Sequence, residues 1–145
     1  FIGDALKGLL SAAGLPVLAG ALVPDGVPVA LEPQLGILCG CAAIAGHNWS
    51  LYLRFTGGKG VATTIAATVA FNWLAGIILI AIWLLFARVF KISSLAAIIS
   101  FCALPPLIYW RVPDLGVTAV FAAISLILIW RHRDNIQRLL SGEEA

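Results

Sequence analysis

Five long apolar runs, separated by short polar stretches, make up most of the chain. They cover residues 6–23, 34–45, 61–87, 95–110 and 115–130. A helix that crosses a bilayer needs about 20 apolar residues, and every run is near or below this length except the third, which is longer. The pattern predicts a bundle of membrane helices in which the third run decides the topology of everything after it.

Two topologies fit the third run. A single crossing divides the Lys and Arg residues four to five between the two membrane faces. If the run instead folds back near Asn72 and Trp73 as two short helices, eight of these residues lie on one face and only Arg111 on the other. Short cytoplasmic loops carry an excess of Lys and Arg, which favours the second topology. We predict helices at 61–71 and 73–90, about six membrane helices in total, and a cytoplasmic C-terminus.

Composition supports a membrane protein and excludes some partners. Hydrophobic residues make up 61% of the chain and charged residues 11%, whereas the apolar share of a soluble domain is about 45–50%. We predict an all-α, polytopic helix bundle that forms a single membrane domain over residues 1–145. A net charge of +2, carried in short loops, does not indicate a nucleic-acid partner. The Pro-containing stretches at 24–33 and 111–114 are interpreted as plain connectors.

One stretch concentrates polar chemistry between two apolar runs. It contains His47, Arg54 and the run Gly57-Gly58-Lys59-Gly60. Glycines can turn their N–H groups toward one point, and the adjacent lysine adds a positive charge, so the loop is typical of an anion cradle for a phosphate. The alternative is that the glycines only turn the chain and Lys59 is a topology signal. The local chemistry does not decide between the two.

The second polar cluster lies in the C-terminal tail, which reads Arg131-His132-Arg133-Asp134-Asn135. If the last helix runs on past the membrane, Arg131, Asn135 and Arg138 fall on one helix face at i, i+4 and i+7. A solvated end that touches anionic lipid headgroups is the alternative. The imidazole and the amide favour a binding site, since topology needs only charge. Ser93 and Ser94 head the next-to-last run, where capping of the helix is the simpler role.

Several reaction classes are disfavoured by what the sequence lacks. His47 and His132 have no carboxylates at metal-ligand spacing, and the three cysteines show no metal-binding pattern. There is no G-x-S-x-G motif, and Gly60 stands where a Walker A loop has Ser or Thr. A direct transfer between two bound substrates remains, assisted by positioning and electrostatics and without a cofactor or metal.

Two long motifs resemble a known family. They are the stretch 46–63, with Gly46-His47 and Gly57 to Thr63, and the stretch 130–144, with Trp130 to Arg133, Asn135-Ile136, Arg138-Leu139, Gly142 and Glu144. In order and separation they resemble the PlsY family of bacterial acyl-phosphate:glycerol-3-phosphate acyltransferases. Asp4-x-x-Lys7-Gly8 and Lys91-x-x-Ser94-Leu95 resemble its intervening signatures. That family has seven membrane helices and a Ser/Gly/Asn-rich first loop. No such stretch precedes Asp4, so we expect this chain to lack the first helix and first motif.

The resemblance implies a reaction and a set of site residues. A fatty acyl group would move from acyl phosphate to the 1-hydroxyl of glycerol 3-phosphate, giving lysophosphatidic acid and phosphate at the cytoplasmic face of the bacterial inner membrane. The acyl chain would lie in an apolar groove open to membrane lipid. No cofactor or metal is implied, and the oligomeric state is left open. The implied catalytic residues are His47, Lys59, His132 and Asn135, and the implied substrate-binding residues are Gly57, Gly58, Gly60, Ser94, Arg131 and Arg133.

Finer roles also follow from the resemblance. Lys59, Ser94, His132 and Asn135 would bind glycerol 3-phosphate, with positive charge from the tail arginines nearby. His47 and the glycine loop would shape the pocket and neutralise phosphate. The general base stays open among His47, His132 and a substrate phosphate oxygen.

A membrane carrier or binding protein for an organic phosphate is the rival hypothesis. Such a protein usually places ionisable groups near the bilayer midplane. Residues 61–87 and 115–130 contain none, which favours the enzyme. A scaffold bundle without chemistry is the weakest of the three hypotheses.

Overall fold

The computed structural model describes residues 2–22, 32–50, 54–55 and 57–143. Most of the predicted connector at 24–33 lies outside these residues, and so does Val23 at the end of the first apolar run. Of the two family-like motifs, residues 51–53, Thr56 and Glu144 also lie outside them. All regular structure in the described residues is helical, as the all-α prediction requires. The elements are α1 (Ile2–Leu9), a π-helical turn (Leu10–Gly14), α2 (Leu15–Leu22), α3 (Glu32–Asn48), α4 (Val61–Phe71), α5 (Trp73–Phe90), α6 (Ser93–Arg111), α7 (Leu115–Arg131) and α8 (Arg133–Leu140).

The chain divides into two compact units, Phe1–Gly76 and Ile77–Ala145. In the first unit α1 packs along α4, and α3 packs against both of these helices. A Cβ on Gly8 would collide with the backbone carbonyl of Thr63. Only glycine therefore allows α1 and α4 to approach this closely, a device that membrane helices use in place of hydrophobic driving force.

The break inside the third apolar run is confirmed at the predicted position. Asn72 is extended, with φ −147° and ψ 103°, and ends α4 by donating its N–H to the Thr68 carbonyl at 2.8 Å. Its side-chain Oδ1 accepts from the N–H of Ala75 at 3.0 Å and so caps α5. In a continuous helix, the Cα atoms of Val69 and Gly76 would be about 10 Å apart along the axis. Here the two backbones are in contact, since a Cβ on Gly76 would overlap the Val69 backbone. The chain therefore turns sharply at Asn72.

The second unit is built on the pair α6 and α7. Phe101, Leu104 and Ile108 of α6 and Leu128 of α7 are fully buried and form its core. Asp114 caps α7, since its carboxylate accepts from the Val117 N–H at 2.8 Å. The short helix α8 packs against α6 and α7. The predicted cap at Ser93 or Ser94 is wrong, because the N-cap position of α6 is Ile92, which offers no side-chain cap.

The surface of the described helices suits lipid. Trp73, Leu84 and Leu126 are among many large apolar side chains that are more than half exposed. Within the described residues, three helical segments are long and apolar enough to span a membrane, Ile2–Leu22, Trp73–Phe90 and Ser93–Arg111. A fourth results if α7 and α8, which meet at a 57° bend, count as one span. The chain is therefore a multi-pass membrane protein, and the count of six spans stays a prediction.

Candidate functional site

The glycine loop of the first unit, Gly57 to Gly60, packs against the C-terminal end of α3. The N–H of Gly58 donates to the His47 carbonyl at 3.2 Å. A Cβ on Gly57 would collide with the carbonyl of His47 and lie 2.6 Å from that of Asn48. No side chain larger than hydrogen fits here, which gives a packing reason for the first two glycines of the loop.

His47 links this loop to α1. Its Nδ1 lies 3.3 Å from Oδ1 of Asp4, and its side chain is only 14% exposed. On the other edge of the ring, a Cβ on Gly58 would run into Nε2. Asp4 also pairs with Lys7 at 3.5 Å, its neighbour at i+3 on the same helix face. The contact with His47 was missed, because nothing in the spacing joins residues so far apart in the chain.

Lys59 and Gly60 lead directly into α4. Gly60 has φ 73° and is the N-cap residue of this helix, a left-handed conformation that glycine adopts without strain. Its carbonyl accepts from the Thr64 N–H at 2.9 Å. Lys59 is exposed and lies next to the first turn of α4. A positive side chain beside a helix N-terminus is chemically suited to an anionic group.

His132 is the hinge between α7 and α8 in the second unit. It is 1% exposed. Its Nδ1 lies 2.8 Å from the Leu128 carbonyl, and because a carbonyl only accepts, Nδ1 carries the proton. Phe101 packs edge-on against the imidazole. The ring is thus held in one orientation by contacts from α6 and α7.

The other tail residues take different environments around this hinge. Asn135 is buried in the first turn of α8, whereas Arg138 is exposed. The guanidinium of Arg133 lies over the Trp130 ring at 4.5 Å. The predicted continuous face of Arg131, Asn135 and Arg138 is wrong, because the chain bends by 57° at His132 and places Arg131 on α7.

Ser94 belongs to the same unit as the tail. It is 9% exposed and lies in the first turn of α6, the helix against which α8 packs. The structure thus brings together His47, Gly57 and Gly58 in the first unit, and His132 and Asn135 beside the tail arginines in the second. The predicted meeting of Lys59 with His132 stays a prediction, because the two residues belong to different units.

Fold and surface define the class of protein as a multi-pass helical membrane protein. Comparison with known proteins then gives its family. Residues 1–142 match the family described as glycerol-3-phosphate acyltransferase. The chain belongs to this family of acyltransferase enzymes, as the sequence motifs predicted.

Individual relatives agree with this assignment. The chain is 38% identical to a glycerol-3-phosphate acyltransferase of Halorhodospira halophila over 144 residues, 99% of this chain and 68% of the relative. It is 45% identical to one of Idiomarina loihiensis over 114 residues, 79% of this chain and 57% of the relative. The crystal structure of PlsY, an integral membrane glycerol 3-phosphate acyltransferase in its lysophosphatidic acid form, superposes with a TM-score of 0.77. The two sequences are 27% identical, and the superposition covers 98% of this chain and 67% of that PlsY chain. The chain thus spans between about half and two thirds of the proteins that it matches.

Proposed function

We propose that this protein transfers a fatty acyl group from acyl phosphate to the 1-hydroxyl of glycerol 3-phosphate. The observation that carries the proposal is the family match over nearly the whole chain, in which the Gly57 to Gly60 loop presents an exposed Lys59 beside the first turn of α4. Lysophosphatidic acid and inorganic phosphate are the products. The protein would act as one membrane domain in the first step of phospholipid synthesis.

The chemistry needs little from the protein beyond positioning. The hydroxyl oxygen of glycerol 3-phosphate attacks the acyl carbon, the bond from that carbon to the phosphate oxygen breaks, and phosphate leaves with the electron pair. The hydroxyl proton passes to a phosphate oxygen or to an imidazole. An acyl phosphate is a mixed anhydride with a good leaving group, so no covalent acyl-enzyme is needed. Binding both substrates in register lowers the barrier by several kcal/mol, up to about 7–11 in the best intramolecular cases.

Each site residue has a proposed role. Lys59 neutralises a phosphate, and the backbone of Gly57, Gly58 and Gly60 shapes the pocket, with the Gly58 N–H held by the His47 carbonyl. Ser94 and Asn135 supply directional hydrogen bonds to glycerol 3-phosphate. His132, whose Nδ1 is occupied by the Leu128 carbonyl, offers Nε2 to a substrate oxygen. Arg131 and Arg133 add positive charge near the phosphate, where charge-assisted bonds are strong.

The bacterial inner membrane is the proposed location, with the site residues facing the cytoplasm. The eight-to-one distribution of Lys and Arg supports this orientation. Cysteine replacement of Lys91 or Arg111, in a variant without the native Cys39, Cys41 and Cys102, tests it in intact cells. A membrane-impermeant maleimide should label the cysteine at 111 and not the one at 91. The reverse pattern contradicts the proposal.

Phosphate release distinguishes the enzyme from a carrier or binding protein for an organic phosphate. Purified protein in lipid-detergent micelles is mixed with acyl phosphate and glycerol 3-phosphate, and both phosphate and lysophosphatidic acid are measured. We expect the two products in equal amounts, and neither above background without glycerol 3-phosphate. Binding of glycerol 3-phosphate without any release of phosphate would support the carrier instead.

A further inference from the structure

Asp4 and His47 form a contact that none of the proposed roles explains. They come from α1 and α3, and the 3.3 Å distance joins Asp4 Oδ1 to Nδ1 of the imidazole. A carboxylate at this distance favours the tautomer with the proton on Nδ1, and it forms an ion pair when the imidazole is protonated. Nε2, on the other edge of the ring, lies beside Gly58, where a Cβ would run into it.

His47 therefore lies between α1 and the glycine loop, with Nδ1 beside Asp4 and Nε2 beside Gly58. The side chain is 14% exposed, so most of its surface is packed against the protein. These contacts suit a structural role for the ring, in which it joins α1 to the loop.

We propose that Asp4 is a positioning residue, which orients His47 so that its ring supports the Gly57 to Gly60 loop and holds Lys59 where it binds substrate phosphate. This inference rests on the proposed function, because it assigns the loop to phosphate binding. Two further contacts tie the loop to the same place. Gly58 bonds to the His47 carbonyl, and Gly57 packs on the carbonyls of His47 and Asn48. The side chain and the backbone of His47 thus support the loop together.

Lys7 provides a matched control. Its ammonium pairs with the same Asp4 carboxylate at 3.5 Å, one turn along α1, but its side chain is 66% exposed. Exposed pairs contribute little. Lys7→Gln removes the ammonium partner of Asp4 and leaves the contact with His47. Its effect therefore measures the contribution of Lys7 separately from that of His47.

The first test is steady-state kinetics of Asp4→Asn, His47→Gln, the double variant and Lys7→Gln. We expect Asp4→Asn and His47→Gln each to raise KM for glycerol 3-phosphate about tenfold, the loss typical of one charged hydrogen bond, with kcat within about twofold. The double variant should be no worse than the poorer single variant, because residues that act as one unit are not additive. Lys7→Gln should stay within about twofold of wild type, and Asp4→Glu should recover part of the loss.

Three kinetic results would overturn the inference. They are a fall in kcat with unchanged KM in His47→Gln, full additivity in the double variant, and equal losses in Lys7→Gln and Asp4→Asn. Asp4→Ser replaces Asp4→Asn in the same comparison if the asparagine variant does not accumulate in folded form.

The second test does not depend on catalysis. Trypsin can cleave after Arg54, which precedes the loop, and after Lys59 within it, and we expect cleavage to be faster when the loop is released from His47. We expect Asp4→Asn to accelerate cleavage at these two sites at least about fivefold, as the open population grows, and Lys7→Gln to leave the rate unchanged. Unchanged cleavage in Asp4→Asn overturns the inference. If wild-type protein makes no lysophosphatidic acid, the proposed function fails, while the cleavage rates still report whether Asp4 and His47 hold the loop.

Discussion

Phe101 of α6 lies edge-on against the imidazole of His132, with ring centroids 5.8 Å apart and planes at 60°. Both side chains are almost completely buried. The Leu128 carbonyl holds Nδ1 of the same ring from α7. Two helices therefore fix the orientation of a histidine that the sequence could identify only by its neighbours in the chain.

Phe101→Leu should lower turnover more than it lowers substrate affinity. Loss of the aromatic edge removes one of the two contacts that orient the imidazole, and a displaced catalytic group costs on the order of tenfold or more in rate. Product formation is measured well below the unfolding temperature, because the smaller side chain also destabilises the core by about 1–2 kcal/mol. Phe90→Leu is the control, since Phe90 of α5 is exposed and stacks only on Phe86 among the pairs described. Equal losses in both variants would show that Phe101 acts only through stability.

Lys59→Ala should nearly abolish acyl transfer. A charged contact to a phosphate contributes about 3 kcal/mol when water is largely excluded, so kcat/KM should fall by about 100-fold. Arg88→Ala removes a cation from the last turn of α5 and should leave kcat/KM within about twofold. Lysophosphatidic acid formation at limiting glycerol 3-phosphate gives the comparison. Unchanged kcat/KM in Lys59→Ala would refute the assigned site.

Gly8→Ala should destabilise the first unit, because a Cβ there overlaps the Thr63 carbonyl and the two backbones must separate. Overpacking of this kind costs about 1–3 kcal/mol. Gly3→Ala is a control on the same helix, where a Cβ meets nothing within 4 Å. It should be neutral or stabilising, by up to about 1 kcal/mol. Thermal unfolding in detergent reports both variants, and similar unfolding temperatures would show that α1 and α4 are not in close contact.

Asn72→Leu should change the topology of part of the population. The substitution removes the cap that Oδ1 gives to Ala75, at a cost of about 1 kcal/mol, and favours one continuous helix over residues 61–90. The loops and the C-terminus that follow this helix would then lie on the opposite face of the membrane. Maleimide labelling of a cysteine at 91 from outside the cell should rise from background in this variant and stay low in Asn72→Ser, which keeps a capping oxygen. Absence of labelling in Asn72→Leu would mean that packing of Gly76 on Val69 suffices to hold the turn.

The fold could be predicted well from the sequence where a single physical preference dominates. The break at Asn72 followed from the distribution of Lys and Arg, and α4 and α5 have the predicted bounds. The bend at His132 was missed, because Arg131 to Arg138 is compatible with a continuous helix and only packing of α8 against α6 and α7 favours the bend.

The motifs predict which residues belong to the candidate site, but they do not predict the contacts between those residues. The motifs singled out His47 and the glycines, but the role of Asp4 depends on where α1 lies relative to α3. Such contacts arise from close helix packing, as at Gly8, and leave no periodic signal in the sequence.

The π-helical turn at Leu10–Gly14 has a consequence for the reach of Asp4. A π-turn accommodates one extra residue within a helix, and each residue of an α-helix rotates the chain by about 100°. Without the wider turn, one extra residue would rotate Asp4 by about 100° around the helix axis relative to α2, away from His47. The π-turn takes up that residue locally, so the helix before it keeps the orientation in which the Asp4 carboxylate reaches the imidazole.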